Sequence, residues 1–436
     1  MKPIAAGLLG IGTVGSGTWD VLTRNAGEIR RRAGRAIRIA RVADKDQKKA
    51  RKLVGGKARV TGNAWDVVRD PEIHIVIELI GGTGIARDLV LEAIAHGKHV
   101  VTANKALLAR HGNRIFAAAQ KKGVMVAFEA SVGGGIPIIK ALREGLAANR
   151  IEWIAGIING TSNFILSEMR DKGSSFADTL REAQRRGYAE ADPTFDIEGV
   201  DAAHKLTILS ALAFGIPMQF GRVYTEGISR LTQQDIGYAE ELGYRIKLLG
   251  ITRRAKRGIE LRVHPTLVPS RRLIANVEGV MNAILVKGDA VGATLYYGAG
   301  AGSQPTASAV VADLVDVTRL ITADPGHRVP HLAFQPDQLS DTPILPIGEV
   351  ETCYYLRLRV LDQPGVLARI TRILADSRIS IDAMVQKEPP AGEKRVDIVM
   401  LTHLALEKNV AAALARIERL PTVLGKVTRI RLEALL

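Results

Sequence analysis

The sequence predicts an α/β protein in three parts: a doubly wound parallel sheet, an α+β domain, and a small C-terminal βαββαβ domain. Apolar runs alternate with helical stretches over the first 130 residues, and this rhythm is lost between 131 and 305. A proline-rich segment then precedes the last 86 residues. The length of 436 residues agrees with three domains at roughly 150 residues each.

The first part reads as βαβ units, because its short Val/Ile-rich runs are typical of strands buried on both faces of a parallel sheet. The predicted strands are 4–9, 37–43, 73–80, 99–102 and 124–128. The predicted helices are 14–23, 46–53, 85–96 and 105–121. We expect this domain to span residues 1–130.

The second part, 131–305, mixes strands and helices without that alternation. We predict strands at 149–158, 261–267 and 283–287, and helices up to 146 and at 164–170, 176–186 and 200–214. A helix at about 304–321 opens on Pro305, a residue tolerated in a first turn. We expect the stretch 306–324 to return to the first domain.

Five of the 17 prolines fall between 325 and 346, which favours a linker over 325–350. The C-terminal domain, 351–436, then repeats a compact pattern. Its predicted strands are 354–361, 379–386, 396–403 and 423–432, and its predicted helices are 366–377 and 407–420.

The chain is basic, with 60 Lys and Arg against 45 Asp and Glu. Fourteen of the basic residues and only three acidic ones lie between 24 and 59. Such an excess suggests nucleic acid, an anionic membrane or a phosphorylated ligand as partner. No nucleic-acid-binding module is recognisable, and 4% aromatic residues argues against a base-stacking platform. We expect Arg30, Arg31 and Arg32 to lie in a solvated loop.

Cysteine content and hydropathy bear on the cellular compartment in which the protein is expected. Cys353 is the only cysteine, so an intrachain disulfide or a cysteine metal cluster is excluded. The sequence has no apolar run of membrane-spanning length and no signal-peptide pattern. We therefore expect a cytoplasmic protein without a membrane partner.

A glycine-rich turn between the first strand and the first helix is the clearest ligand signal. Its sequence is Gly10-Ile11-Gly12-Thr13-Val14-Gly15. This spacing, in a strand–turn–helix context, indicates a Rossmann-type dinucleotide site in which helix amides bind the pyrophosphate. A glycine turn without ligand is the bland alternative.

The end of the second strand should face the adenosine ribose. Asp44 suits the 2′-hydroxyl of NAD, whereas Lys45, Lys48 or Arg41 suits the 2′-phosphate of NADP. Solvent-exposed charge explains these basic residues equally well. The basic stretch as a whole favours NADP.

Asp201 and Lys205 stand four residues apart on a predicted helix with apolar neighbours, and therefore share one face. An ammonium in apolar surroundings suits proton transfer near neutral pH. The alternative is an ordinary surface ion pair, worth a few tenths of a kcal/mol.

Three further segments have mixed signals. Glycines at 133–135 can turn carbonyls toward a hard cation, or merely cross between domains. The turns at 159–163 and 298–302 precede helices and suit either anion binding or ordinary capping.

Taken together, these residues resemble homoserine dehydrogenase with a C-terminal ACT domain, along nearly the whole chain. The motifs are the glycine turn, Thr102-Ala103-Asn104-Lys105, and the segments 129–137, 159–163 and 187–205. The turn Asp362-Gln363-Pro364-Gly365 after a strand is similar to the start of an ACT module.

The resemblance implies NAD(P)-dependent interconversion of L-homoserine and L-aspartate 4-semialdehyde, in threonine, methionine and isoleucine biosynthesis. It implies Lys205 as the proton donor or acceptor, with Lys105 in the same site. It further implies feedback inhibition by L-threonine and a homodimer or homotetramer. The resemblance implies three further sets of contacts. The substrate is contacted by Glu190, Asp201, Gly160, Thr161 and Asp196, and a monovalent cation, Na⁺, is bound by the carbonyls of Glu129, Val132, Gly134 and Ile136. The implied cofactor contacts are Gly10, Ile11, Gly12, Thr13, Val14, Gly15, Asp44, Lys45, Lys105, Gly187 and Gly302.

Two other functions can be considered for these residues. Aspartate-semialdehyde dehydrogenase needs a cysteine nucleophile in its catalytic domain. The only cysteine, Cys353, lies at the entrance to the C-terminal domain, so this function is excluded. A non-catalytic nucleotide- and amino-acid-sensing regulator stays open as the alternative, but it has no need of Glu190, Asp201 and Lys205 together.

Overall fold

The computed structural model describes residues 2–321, 329–389 and 392–435. The chain divides into two compact units. The first comprises Met1–Gly160, Asp201–Gly221 and Val280–Thr342, and the second comprises Thr161–Val200, Arg222–Gly279 and Pro343–Leu436.

The first unit is built on a six-stranded parallel sheet in the order β3-β2-β1-β4-β5-β6. Its strands are β1 (Ile4–Leu9), β2 (Ile37–Ala43), β3 (Arg59–Thr61), β4 (Ile75–Glu78), β5 (His99–Thr102) and β6 (Val126–Ala127). The strand order reverses at β1, which creates a switch point where ligands bind beyond the carboxyl ends of the strands. The predicted doubly wound, Rossmann-type fold is confirmed.

Helices connect these strands. They are α1 (Thr13–Arg24), α2 (Ala26–Ala33), α3 (Gln47–Val54), α4 (Trp65–Val68), α5 (Ile85–Ala95), α6 (Lys105–Lys122) and α7 (Ile138–Lys140), followed by a π-helical turn at Ala141–Gly145. The late helix α13 (Ser303–Leu320) adds Val310 and Leu314 to the apolar core formed by Ile4, Leu8 and Trp19.

Three antiparallel strands and a buried helix complete the first unit. The strands β7 (Ile151–Ile157), β11 (Met281–Gly288) and β12 (Gly292–Ala299) pair with β11 in the middle. The helix α11 (Val200–Phe214) is buried at every position from Asp201 onward. Its nearly continuous apolar sequence follows from that burial.

The second unit contains the ACT-like βαββαβ fold with a long hairpin beside it. The strands are β8 (Tyr224–Thr225), β9 (Tyr244–Ala255), β10 (Gly258–Pro269), β13 (Glu351–Leu361), β14 (Ile381–Gln386), β15 (Arg395–Thr402), β16 (Ala405–Leu406) and β17 (Thr428–Leu432). The helices are α8 (Gly160–Lys172), α9 (Phe176–Arg185), α10 (Thr194–Ile197), α12 (Gln233–Glu241), α14 (Val366–Asp376) and α15 (Glu407–Ile417).

In this unit, β17, β13, β15 and β14 form the sheet of the ACT-like fold, and β17 also pairs in parallel with β10 of the hairpin. The two helices of the fold, α14 and α15, cover one face of this sheet through Ile370, Leu374, Val410 and Leu414. The predicted C-terminal fold is confirmed.

Several local predictions were wrong. Arg30, Arg31 and Arg32 lie in the helix α2 rather than in a loop, although all three are exposed as expected. Glu28 holds Arg31 and Arg32 from the preceding turn at 3.0 and 2.8 Å, and Ile29 and Ala33 anchor the helix in the core. The long strand β9 was not predicted, because Arg245, Lys247, Arg253 and Arg254 interrupt its apolar residues.

Part of the predicted linker can be described. Its start, including Pro325, lies outside the described residues. The described remainder contains the short turns Pro336–Gln338 and Ile347–Glu349 and an isolated β-bridge from Ile344 to Ile259, and is otherwise irregular. Among the described residues, no helix combines the length and apolar character required to cross a bilayer.

Candidate active site

A buried ion pair lies on α11. Lys205 Nζ is 2.6 Å from Asp201 Oδ2 and 2.7 Å from the carbonyl oxygen of Ile158. The side chains are only 10% and 6% exposed. The alternative of an ordinary surface ion pair is therefore wrong. Burying a charged lysine costs free energy unless hydrogen-bonding and oppositely charged partners compensate for the lost water.

A second ammonium reaches the same carboxylate. Lys105 Nζ lies 3.1 Å from Asp201 Oδ1, while Asn159 Nδ2 donates to Oδ2 at 2.9 Å. Lys105 is the first residue of α6, and its side chain stays about one-third exposed. Asp201 is thus shared by two ammonium groups and an amide, an arrangement that concentrates positive charge at one point.

A buried acidic residue that was not predicted from the sequence, Glu78, accepts a hydrogen bond from Asn104, the residue before Lys105, at 3.5 Å. Glu78, at the end of β4, is fully buried and accepts hydrogen bonds from Thr102 Oγ1 at 2.7 Å and from the amides of Ile80 and Gly81. Asn104 caps α6 by accepting from Leu107 N at 3.0 Å. The available signal was an acidic residue ending an otherwise apolar strand.

Electrostatics favour the ionised pair. Burial raises the pKa of Asp201, but the ammonium groups of Lys205 and Lys105 lower it by a larger amount. The pKa of Asp201 therefore lies well below its ordinary value. The pKa of the adjacent His204 is also lowered, to about 4, and here burial itself lowers it, reinforced by the positive charge of Arg110. This imidazole is therefore neutral at pH 7, and its ring stacks on Phe220 at 4.2 Å between centroids.

The glycine turn has the backbone that its spacing predicted. Gly10 has φ +92°, and a Cβ there would lie 2.8 Å from Leu79 O. A Cβ on Gly15 would lie 2.1 Å from Gly10 O, whereas one on Gly12 would meet no atom within 4 Å. Gly10 and Gly15 thus serve the fold, and Gly12 leaves open space beside the N-terminus of α1, the space that a pyrophosphate needs.

Asp44 is engaged with the backbone of this turn. Its Oδ2 accepts from Ile11 N at 2.6 Å and its Oδ1 accepts from Asp46 N at 2.8 Å. Arg41 pairs with Asp70 at 2.9 Å and donates to Asp66 O. Lys45 and Lys48 are exposed. Of the four residues considered for the ribose end, the two lysines are the ones whose side chains extend to solvent.

The second glycine segment brings Glu129 against α7. Its carboxylate accepts from the amides of Ile139 and Lys140 at 2.9 and 2.8 Å. Gly134 has φ +54°, and a Cβ there would lie 2.6 Å from Gly300. The carbonyl of Glu129 accepts from Val132 N at 3.4 Å and that of Ile136 from Ile138 N at 2.8 Å.

The carbonyls of Val132 and Gly134 differ from these two. Within the described part of the chain, no hydrogen-bond donor reaches either oxygen. In the same part of the chain, no cluster of three His, Cys, Asp or Glu side chains has metal-binding geometry. A cation held in this segment would thus depend on backbone oxygens.

The other predicted cofactor position in the first unit, Gly302, begins α13 with φ +126°. Ser303 Oγ donates to Thr13 O at 2.9 Å, so the N-termini of α13 and α1 meet at the glycine turn. Gly160 allows another close approach, because a Cβ there would lie 2.7 Å from Val280 O.

The remaining predicted residues lie in the second unit. Thr161 Oγ1 donates to Tyr188 O at 2.7 Å and to Asp196 Oδ2 at 3.2 Å. Gly187 has φ +74° and starts this loop. Glu190 is exposed, and its carbonyl accepts from Gln184 Nε2 at 3.1 Å. Thr161, Asp196 and the 187–190 segment are therefore brought together.

Family models match three stretches of the chain. A homoserine dehydrogenase NAD-binding domain matches residues 10–129, a homoserine dehydrogenase domain matches 137–315, and an ACT domain matches 354–422.

Whole-chain comparisons agree with these matches. The homoserine dehydrogenase of Pseudomonas aeruginosa is 61% identical, with 100% of each chain covered. That of Bacillus subtilis is 38% identical over 97% of this chain and 96% of its own. The crystal structure of a homoserine dehydrogenase from Thiobacillus denitrificans has 75% identity and a TM-score of 0.96, covering 100% of this chain and 99% of that one. The chain belongs to the homoserine dehydrogenase family of NAD(P)-dependent oxidoreductases and carries a C-terminal ACT domain.

Proposed function

We propose that this protein interconverts L-homoserine and L-aspartate 4-semialdehyde with a nicotinamide cofactor, and that Lys205 exchanges the proton at the substrate oxygen. The observation that carries the proposal is the buried pair of Lys205 and Asp201, together with Lys105 on the same carboxylate. Lys105 follows the carboxyl end of β5, at the same sheet edge as the glycine turn after β1. This shared edge supports a cofactor that binds beside Lys105.

Charge development explains why ammonium groups stand there. The bound cofactor supplies or accepts a hydride at its nicotinamide ring. In the direction of aldehyde reduction, negative charge grows on the carbonyl oxygen of the substrate. Lys205 stabilises this oxygen and donates a proton to it, and Lys105 adds a second positive charge nearby.

In the direction of homoserine oxidation, Lys205 must accept the hydroxyl proton. Asp201 favours the charged lysine, so it opposes this step and favours reduction. The same contact fixes the ammonium, because Asp201 Oδ2 and Ile158 O hold Nζ from two sides. Asp201 therefore orients the ammonium of Lys205 and favours its protonated form.

The substrate's ammonium needs acidic or carbonyl partners. By family resemblance we assign it to Glu190 and Asp201, with Gly160, Thr161 and Asp196 completing the substrate contacts. Support comes from the second unit, where Thr161 holds both Asp196 and the carbonyl of Tyr188. These contacts order the segment that carries Glu190.

For the cofactor we propose NADP. Gly10, Gly12 and Gly15 shape the pyrophosphate turn, and Lys45 or Lys48 binds the 2′-phosphate. The support is that Asp44 is already bonded to Ile11 N and Asp46 N, while both lysines extend to solvent. Ile11, Thr13, Val14, Lys105, Gly187 and Gly302 complete the proposed cofactor contacts.

We also propose a monovalent cation, Na⁺, held by the carbonyls of Glu129, Val132, Gly134 and Ile136. Two of these four oxygens have no hydrogen-bond donor within the described residues, and carbonyl oxygens are the ligands that a hard cation prefers. The cation would order the segment between β6 and α7.

Regulation is assigned to the ACT domain. By resemblance we propose L-threonine as the feedback inhibitor, a cytoplasmic homodimer or homotetramer as the active form, and a place in threonine, methionine and isoleucine biosynthesis.

The direct experiment is a homoserine oxidation assay on the full chain, with NAD and NADP in parallel and with or without threonine. We expect turnover with both or with NADP alone, and inhibition by threonine. Absence of turnover with either cofactor, in protein that binds NADPH, would overturn the proposal and favour a sensing role.

A further inference from the structure

A buried lysine of the second unit stands apart from the residues considered above. Lys247 lies in the first half of β9 and is 1% exposed. Its Nζ donates to Val277 O at 2.6 Å, to Asn163 Oδ1 at 3.3 Å and to Glu278 Oε2 at 3.4 Å. The ammonium thus has three acceptors for its three protons, which is what a buried charge requires.

Asn163 joins Lys247 in holding the segment 277–279. Its Nδ2 donates to Val277 O at 3.1 Å and to Gly279 O at 2.9 Å. Ser167, one turn further along α8, accepts from Gly279 N at 3.2 Å and donates to Asn163 O at 2.8 Å. The 277–279 segment is therefore fastened to the first two turns of α8.

The same first turn of α8 holds a second segment. Thr161 donates to Tyr188 O and to the carboxylate of Asp196, and Ser162 Oγ donates to Asp196 O at 3.0 Å. Residues 161–163 therefore stand between two loops. One loop runs from Tyr188 to Asp196 and includes Glu190, and the other is the 277–279 segment.

Charge balance alone does not explain Lys247. Glu278 already pairs with Arg170 and with Arg245, each at 2.7 Å. The shortest contact of Lys247 is with a carbonyl oxygen rather than with this carboxylate. The contacts therefore describe a geometrical role, in which one buried cation fixes the side chain of Asn163 and the carbonyl of Val277 at the same time.

We propose that Lys247 is a positioning residue for the substrate-binding segments of this unit. By holding Asn163 and the 277–279 segment, it fixes the first turn of α8. Through Thr161 and Ser162, this turn fixes the segment that carries Glu190 and Asp196. This inference rests on the proposed function for the substrate roles of Thr161, Glu190 and Asp196. Burial, only partly opposed by Glu278, lowers the pKa of Lys247 to about 8, so the side chain is still mostly charged at pH 7.

The test is Lys247→Met in the full chain, with Lys256→Met as the matched control. Lys256 is exposed in the turn between β9 and β10. We expect KM for homoserine to rise about tenfold or more, because several hydrogen bonds to a charged group are lost. The KM for the cofactor and kcat should change far less, and the control should match the wild type.

A second readout does not depend on turnover. Hydrogen–deuterium exchange of the folded variant should accelerate in peptides covering 160–170, 187–198 and 277–281, and not in the ACT-like sheet. Ser167→Ala provides a milder change if Lys247→Met fails to fold, and it should move the same peptides and KM in the same direction.

The outcomes separate the two proposals. An unchanged KM for homoserine and unchanged exchange in the three segments would overturn the positioning role, even with an active wild type. A wild type inactive on homoserine would instead overturn the proposed function, and exchange would still test the positioning.

Discussion

Asp201 and Lys205 form an ion pair of 2.6 Å across one turn of a helix that is buried from Asp201 onward. The pair is completed by Lys105 on the other oxygen of the carboxylate, at 3.1 Å. This carboxylate therefore contacts one ammonium group on each of its oxygens. It also makes the protonation of Lys205 sensitive to one substitution.

Asp201→Asn should move the pH–rate profile of homoserine oxidation toward lower pH. Oxidation requires a neutral Lys205, and loss of the carboxylate removes the charge that favours the ammonium. The maximal rate should also fall at least tenfold, because Nζ loses an orienting contact. The measurement is kcat against pH from 6 to 10, and an unshifted profile would contradict the coupling.

The same carboxyl has a stability consequence. The pKa of Asp201 in the folded chain is below its unfolded value of about 3.8, so the ionised group stabilises the fold above that pH. This contribution is lost as pH falls below about 4. Asp201→Asn should therefore flatten the acid limb of the unfolding curve.

Two glycines of the cofactor turn should respond differently to the same methyl group. Gly15→Ala places a Cβ 2.1 Å from Gly10 O and should lower Tm by several degrees. Gly12→Ala meets no atom within 4 Å, so the fold should stay intact while NADPH affinity drops at least tenfold. Thermal unfolding and a fluorescence titration distinguish them, and full NADPH binding by a folded Gly12→Ala would remove Gly12 from the site.

Cofactor choice should depend on one exposed lysine. Lys45→Ala should reduce kcat/KM for NADP about tenfold and leave that for NAD nearly unchanged, because only NADP carries the 2′-phosphate. Lys57→Ala, another exposed lysine of the same basic stretch, is the control. Equal losses of kcat/KM with NADP and NAD would show that Lys45 does not bind the 2′-phosphate and acts only through its general positive charge.

The C-terminal strand is fixed by a buried ion pair. Glu433 Oε1 lies close to Arg262, which is 1% exposed, and Oε2 lies 2.8 Å from Arg253. Glu433→Gln should reduce the free energy of unfolding by about 3 kcal/mol, because a buried guanidinium loses a charged partner. Glu349→Gln, which faces the exposed Arg257 at 3.6 Å, should change it by less than about 1 kcal/mol.

This pair also affects how regulation can be tested. A chain ending near residue 348 would lose Glu433, a partner of Arg262, and the strand β17 that pairs with β10. Threonine sensitivity is therefore better compared in full-length proteins carrying single substitutions within the ACT domain.

The sequence was informative where one chemical rule dominates. The spacing of Gly10, Gly12 and Gly15 predicted a strand–turn–helix, and the backbone has it. The apolar neighbours of Lys205 pointed to burial, which the 10% exposure of its side chain confirms. In both cases the local pattern carries the constraint.

Tertiary contacts decided what the sequence missed. The helix with Arg30, Arg31 and Arg32 depends on two buried residues, Ile29 and Ala33, too few to produce a visible period. Lys247 lies buried in β9 because Asn163 and Val277, both distant in sequence, accept its hydrogen bonds, and buried Arg262 pairs with the distant Glu433 as well as with the nearby Glu260. No local pattern distinguishes such residues from surface charges.

The most direct measurement is the turnover of Lys205→Ala with homoserine and NADP, alongside its affinity for NADPH. We expect kcat to fall at least a thousandfold, an order of magnitude typical of losing a group that both transfers a proton and stabilises charge, with NADPH binding within about twofold of the wild type. Near-normal turnover in a folded variant would contradict the assignment of Lys205 as the proton donor and acceptor.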